Sequence, residues 1–549
     1  MSVDRSVNLR SSEGWVARLP GLLGWLFLLL LLAAGTALRM RVSPVAISEW
    51  DSWGWLDPAL GWLGGTGFRE RFEREWLYGA FIAACLRLTG SFSGYIIIQQ
   101  SLGVIAAICM WLTWRTWTAL LPKPFILEIV GIIIGLLTVG LYLFSPIALA
   151  LELSVRPEGI MAFTAFLQLF SIASYCRFRW HEPRATASLV FGVVAMLFAY
   201  ALFILKPNWL LAGAATTLPV LVGLFGKALS LKIRLLTPLL GMFLVFFTLI
   251  LPDKLLFIRT GETRLVLPMT LFTIHADVIQ ASMRHELEAA EDSEQRRRFL
   301  EVFLPVLDRE MEIARTLASY YPRLGFDPDY LMYRSTVFPF LEQERAMSRQ
   351  EIAAFCRSNF LSAIVKEPFR YARKVFTQLG YFFFPDDSTF FRTRIKMGKL
   401  YEYVLTTIPE SLDTTISQPV REMFDVYRRS AVLQVAQSAN LEAFPPFRGL
   451  LRAVRSAAFW VEIAFFLSAA SCLLVHSLAQ FRLAAFVATI FFLAPAGNAV
   501  TIALIHALDN SRYRGSYGPL LLFALAAMLI FVVTTLAYVV TAHFFRKGT

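Results

Sequence analysis

The sequence is short of cysteine, short of charge, and lacks the loops that mark nucleotide or peptide hydrolysis. Five cysteines occur in 549 residues: Cys85, Cys109, Cys176, Cys356 and Cys472. All but Cys356 fall in or beside apolar runs. None makes a CxxC or a His/Cys ligand spacing, which excludes a disulfide framework or a zinc site as the organising feature. Charged residues make up 17% of the chain, against about 25% in soluble domains. The deficit is local. Long stretches carry almost no charge, whereas 253–455 has a soluble composition. There is no Walker A loop, no GxSxG and no HExxH, so nucleotide hydrolysis has no visible machinery. His275-Ala276-Asp277 is too little to make a site. The net charge of +12 does not point to nucleic acid, because Lys and Arg are scattered beside apolar runs rather than gathered in one patch.

What is present is a series of apolar runs: 22–38, 95–114, 125–144, 159–175, 189–205, 209–225, 235–251, 457–474, 484–506 and 519–542. They predict an all-α polytopic membrane protein with about ten transmembrane helices. The first run ends in Ala33, Ala34, Gly35 and Ala37, as a cleaved signal peptide does. Its length and the spans that follow favour a retained helix. The run 76–88 is too short to cross and reads as an interfacial or re-entrant helix. The organisation predicted is an N-terminal membrane module, 1–252, with an outer loop at 39–75. A mainly helical extracytoplasmic domain, 253–455, is inserted before the last three helices, 456–549. Within it, 280–317 and 349–364 carry helical patterns. The segment 368–384 mixes Arg370, Arg373 and Lys374 with aromatics and suits a helix lying flat on a bilayer.

Charge sets the orientation. With the N-terminus inside, the short inner loops hold Arg115 and Lys123, then Arg177, Arg179 and Arg184, then Lys227, Lys232 and Arg234, then Arg482, and finally Arg546 and Lys547. Each carries a cation, as the positive-inside rule requires. Both 39–75 and 253–455 then face outside.

Five groups of ionisable residues stand at that outer boundary. Glu49-Trp50-Asp51, with Asp57 beyond, offers two carboxylates at i and i+2. They can hold a divalent cation such as Mg or Mn, or one can take a proton from an acceptor hydroxyl. The alternative is a solvated acidic loop, with Trp50, Trp53, Trp55 and Trp62 as interface anchors. Arg69, Glu70, Arg71, Glu73, Arg74 and Glu75, followed by Trp76 and Tyr78, suit either a phosphate or lipid headgroups. Glu152, Arg156 and Glu158 are costly at a membrane edge and should pair or line a cavity. Arg156 is placed to neutralise Glu152 across one helical turn. Lys206-Pro207-Asn208 offers a cation for a lipid phosphate or a snorkelling anchor. His506, Asp509, Arg512, Tyr513 and Arg514 complete the set. Mixed acids and bases confined to one surface argue for a site there.

Four local matches carry a family resemblance: Glu49-Trp50-Asp51 in the first loop; Glu75-Trp76-Leu77-Tyr78 running to Leu88-Thr89-Gly90; Ser145-Pro146 with Arg156-Pro157-Glu158-Gly159; and Arg512-Tyr513 before Pro519. In order and sidedness they resemble the GT-C glycosyltransferases, among them the protein O-mannosyltransferases and the lipid A aminoarabinose transferases. The matches cover the membrane part. The Pro-Pro expected after Glu75 is missing, and the outer domain precedes the last three spans instead of ending the chain. The resemblance implies a polyprenyl-phosphate-linked sugar as donor and a glycan, lipid or protein acceptor, with membrane lipid as a further partner. It implies transfer at the outer face, by inversion. Asp51 and Glu49 would be catalytic. Arg74, Glu75, Tyr78, Arg156, Glu158, Lys206, Arg512 and Tyr513 would bind substrate. A bacterial inner membrane with a periplasmic site is the matching location. The rival readings are an O-antigen ligase or polymerase using a polyprenyl diphosphate, and a transporter. The acidic first loop argues against the former, and the absence of a visible internal repeat and the scarcity of central charges argue against the latter.

Overall fold

The computed structural model describes residues 19–68, 74–122, 124–225, 229–260, 266–289, 294–384, 392, 394–437 and 440–547. Arg69, Glu70, Arg71 and Glu73 lie outside the described residues. The chain is an all-α polytopic membrane protein. Its described strands are one short ribbon, β1 (Arg394–Ile395) antiparallel to β2 (Leu441–Glu442). Nine described helices are long and apolar enough to cross a membrane.

The Leu-rich run after Pro20 forms α1 (Leu19–Arg41), an uninterrupted helix of 23 residues and about 35 Å at 1.5 Å per residue. The first loop then carries α2 (Trp53–Leu63) and α3 (Trp76–Thr89). α4 (Phe92–Thr118) and α5 (Phe125–Leu143) cross, and α6 (Pro146–Leu153) is a short helix at the membrane face. α7 (Glu158–Cys176) and α8 (Ala185–Leu205) cross again. α9 (Leu210–Val222) follows, then α10 (Leu231–Val245), which runs on through a π turn into α11 (Leu251–Thr260).

The run expected as a span at 209–225 is the helical stretch Pro207–Val222, too short to count among the nine. It ends where the Gly223 amide closes on the Pro219 carbonyl at 2.8 Å. It still joins both faces. It begins beside Lys206, and the Gly223 carbonyl accepts a hydrogen bond of 2.7 Å from Arg179, past the far end of α7. Alternating crossings therefore put the first loop and the inserted domain on one face, called here the site face.

The inserted domain has two parts. α12 (Val266–Ile274), α13 (Ala276–Ala289), α14 (Glu294–Thr316), α15 (Pro328–Tyr333), α16 (Val337–Pro339) and α17 (Arg349–Lys366) enclose a core of their own, with Phe272, Phe303, Phe338 and Phe340 buried in it. After α18 (Pro368–Phe383), α19 (Met397–Thr407) and α20 (Gln418–Gln437) share a core with the first loop instead. There Tyr401, Val404, Phe424 and Tyr427 join Val45, Ile47, Trp55 and Leu60. α21 (Pro445–Leu474), α22 (Arg482–Ile505) and α23 (Ser511–Lys547) return to the membrane. Both expected domain edges fall inside helices: α11 continues to Thr260, and α21 starts at Pro445.

α18 does more than lie on a surface. Its inner face carries buried Lys374, Gln378 and Tyr381, while Phe369 and Phe376 are exposed. The Lys374 ammonium donates to the carbonyls of Ala503 (2.9 Å) and His506 (2.6 Å), capping the end of α22. Helix C-termini leave unpaired carbonyls, and a buried cation satisfies them.

Candidate active site at the membrane face

The site is assembled by a backbone bridge. Ile47 pairs in parallel with Ser154: its amide donates to Leu153 and its carbonyl accepts from Val155, both at 2.8 Å. This lays the residues before Glu49 alongside the residues before Arg156. The inserted domain holds the same strand from the other side. Tyr401 donates to the Val45 carbonyl at 3.0 Å, Tyr427 to that of Ala46 at 3.1 Å, and Thr407 to that of Ser48 at 3.2 Å. The chain then turns through Trp50–Ser52, with the Glu49 amide donating 2.9 Å to the Ser52 hydroxyl.

Three carboxylates and four cations meet there. Asp51 is held on both oxygens, by Arg74 at 2.5 Å and by Arg512. Glu49 pairs with Arg156, and Glu158 with Lys206. Arg512 Nε lies 4.0 Å from Glu158 and links the two halves. The Tyr513 ring lies under both cations, with the Lys206 ammonium 4.7 Å and the Arg512 guanidinium 5.0 Å from its centre. Such cation–π contacts hold a charge in place without neutralising it. Arg74 also lies 4.9 Å over the Trp55 ring. A Cβ on Gly54 would come within 2.7 Å of the Arg74 side chain, so glycine is what lets the guanidinium reach Asp51.

Burial by itself would raise the Asp51 carboxyl. The guanidiniums of Arg512, Arg74 and Arg156 outweigh it and hold the group well below the usual carboxylate range. Lys206 moves the other way for a cation: burial pulls its ammonium down to about 8, with Glu158 opposing. Burial and Arg512 push His506 down to about 3, so its imidazole is neutral.

The expected helical pairing of Glu152 with Arg156 does not form. α6 ends at Leu153 and Ser154 is extended, so the two residues do not share a helix face. Glu152 instead takes a two-pronged contact from Arg39, at 2.7 and 2.6 Å, with both side chains about 3% exposed. Arg39 also donates to the carbonyls of Gly35 (3.0 Å) and Leu143 (3.1 Å). A Cβ on Gly103 would fall 2.1 Å from the Glu152 carboxylate; only glycine leaves room for this lock.

Of the residues singled out in the sequence, Glu49, Asp51, Arg74, Arg156, Glu158, Lys206, Arg512 and Tyr513 come together. Tyr78 stands behind them. It is fully buried, and its hydroxyl is engaged with Tyr95 (2.7 Å) and Gln99 (3.0 Å). Gln99 in turn donates to the carbonyls of Glu152 (2.7 Å) and Ser154 (2.9 Å), so Tyr78 supports the bridge. Glu75 stands just before the first turn of α3, next to Arg74. Asp57 lies within α2. Asp509 faces the inserted domain, accepting from Gln378 (2.6 Å), Tyr381 (2.9 Å) and the Arg323 amide (2.8 Å). Arg514 stacks 4.3 Å over Tyr381. These contacts fix the turn that delivers Arg512.

No protein-family model matches the chain, and no curated protein matches it. A search of solved structures finds a likeness to the crystal structure of ArnT from Cupriavidus metallidurans bound to undecaprenyl phosphate. The two are 11% identical with a TM-score of 0.32, over 95% of this chain and 78% of that one. At that level the functional reading rests on this chain's own site.

Glu49 and Asp51 do not fit a divalent cation. Each already faces a guanidinium, and a metal between them would stand among three of them, Arg74, Arg156 and Arg512. Among the described residues no three His, Cys, Asp or Glu side chains gather as a metal site. In the inserted domain the sequence offers Tyr320, Tyr321, Tyr330 and Tyr333 as rings able to stack on a sugar, with core packing the commoner use; it does not single out Asp329. The inserted domain meets the site at Asp509, which accepts from the Arg323 amide at 2.8 Å, and α15, with Asp329 and Tyr333, follows this contact in the chain. Nothing in the local sequence sets Asp329 apart from any soluble helix.

Proposed function

We propose that this chain is a GT-C-type membrane glycosyltransferase. It moves a sugar from a polyprenyl phosphate to a hydroxyl of a glycan, lipid or protein acceptor by one inverting displacement. The observation that carries the reading is the gathering of Arg74, Arg156, Lys206 and Arg512 with only three carboxylates at one membrane face. Guanidinium and ammonium groups suit a phosphate, and their place at a membrane edge suits one carried on lipid. In the proposed reaction the donor phosphate competes for Arg512 and Lys206. That frees an oxygen of Asp51, which takes the proton of the acceptor hydroxyl. The acceptor oxygen bonds to the anomeric carbon, the bond from that carbon to the phosphate oxygen breaks, and the electron pair leaves on the phosphate. The cations then neutralise the charge that develops, a contribution of about 2–4 kcal/mol for each preorganised donor. The cations in the short loops of the opposite face favour a periplasmic site in a bacterial inner membrane.

The test is reconstitution of the full chain in liposomes with a polyprenyl-monophosphate sugar or a polyprenyl-diphosphate glycan. Release of polyprenyl phosphate from the monophosphate donor by wild type, and not by Asp51→Asn, is the expected result. Consumption of the diphosphate donor alone would favour a ligase or polymerase. Release at the wild-type rate by Asp51→Asn would remove its proposed role.

A further inference from the structure

Resting on that reading, we infer that α15 forms a subsite for an uncharged, hydroxyl-rich sugar ring, with the Tyr333 ring as its platform and the Asp329 carboxylate as its hydrogen-bond acceptor. Tyr333 is 73% exposed and follows Asp329 by one turn of the same helix, in the part of the inserted domain whose Arg323 amide donates 2.8 Å to Asp509, three residues before Arg512. An aromatic ring left uncovered beside charged groups is poorly used for packing and well used for stacking on the C–H face of a sugar. Tyr321 takes the packing role: it is 4% exposed and donates a hydrogen bond of 2.6 Å to one oxygen of Asp329. Asp327 accepts from the Asp329 amide at 2.9 Å and pairs with Arg334 at 3.2 Å. Asp329 is thus fixed in place, and among the described residues no group pairs with its second oxygen.

Charge defines the ring that fits. A carboxylate accepts hydrogen bonds from sugar hydroxyls strongly. Asp329, which unlike Asp51 and Asp327 has no paired cation among the described residues, repels a ring that carries its own carboxylate or phosphate, so the subsite selects against such rings by unfavourable pairing. The phosphate of the donor is met elsewhere, by Lys206 and Arg512.

The experiment uses the full chain in lipid nanodiscs and reads binding without transfer. Saturation-transfer NMR follows a methyl hexoside and a methyl hexuronide, and polyprenyl phosphate binding is measured on the same samples. Wild type is expected to bind the hexoside and to bind the hexuronide at least about tenfold more weakly. Tyr333→Ala and Asp329→Asn should each weaken hexoside binding by about tenfold, while Tyr333→Phe keeps it. Asp329→Asn should also narrow the gap between the two probes. Unchanged polyprenyl phosphate binding shows that the variants are folded. Equal binding of hexuronide, no hexoside binding by wild type, or wild-type behaviour of both Tyr333→Ala and Asp329→Asn overturns the subsite. If the hexoside pattern holds while wild type does not bind polyprenyl phosphate, the subsite stands and the proposed donor falls.

Discussion

Arg512 and Asp51 stand 461 positions apart in the chain and form a direct ion pair. One opens the last membrane helix and the other follows the first. Their contact closes the membrane part into one site, and Glu158 and Lys206 complete it between them.

Arg512→Lys should cost transfer about 10²–10³ in kcat. A lysine cannot hold Asp51 and reach Glu158 at once, because its ammonium is a point charge whereas guanidinium is a fork. Single-turnover release of polyprenyl phosphate measures the loss, and an unchanged melting temperature shows that the fold survives. Transfer at the wild-type rate would remove Arg512 from the site.

Gly54→Ala should weaken transfer without unfolding the protein. The new methyl meets Arg74, not backbone, so the guanidinium shifts away from Asp51. The same assay reads it, and transfer at the wild-type rate by Gly54→Ala would remove the steric cause.

Lys206 sets an alkaline limit. With its ammonium pulled down to about 8, polyprenyl phosphate binding to the free protein should fall as pH rises through that value. Lys206→Arg should hold binding to higher pH, since guanidinium stays charged. Titration of lipid binding from pH 6 to about 10 checks this; coincident wild-type and variant curves would count against it.

Asp51 sets an acid dependence of stability. Its folded carboxyl ionises well below the usual range, so its pairing is fully present above the unfolded value of about 3.9 and fades as pH falls below it. The melting-temperature advantage of wild type over Asp51→Asn should therefore be largest above about pH 5 and shrink towards pH 3.

Arg39→Ala should destabilise the protein by roughly 3–5 kcal/mol, because it leaves Glu152 buried and unpaired. Replacing both partners, as Arg39→Met with Glu152→Leu, should recover much of that loss. Denaturation in mixed micelles of the single and double variants distinguishes this from a pair that contributes nothing.

Some of this was legible before any coordinates. Glu49, Asp51, Arg156, Glu158, Lys206 and Arg512 are ionisable residues at the ends of apolar runs, all on one predicted side, where burial makes charge expensive. Their partners were not legible. The pairing guessed for Glu152 used helical spacing and failed where α6 ends, and its true partner, Arg39, is 113 positions away. Tyr333 was legible only as one of four tyrosines able to stack on a sugar, and Asp329 gave no signal, because a polar helix in a soluble domain carries such residues without consequence.

The sequence by itself pointed to the helical class, to a chain that crosses the membrane many times and to one face on which ionisable residues gather. Those follow from the lengths of apolar runs and the cations between them, which are local properties of the chain. Only the tertiary structure decided who pairs with whom. Charges hundreds of residues apart meet because helix packing and the Ile47–Ser154 bridge bring their backbones together, and periodicity along one segment holds no record of that encounter.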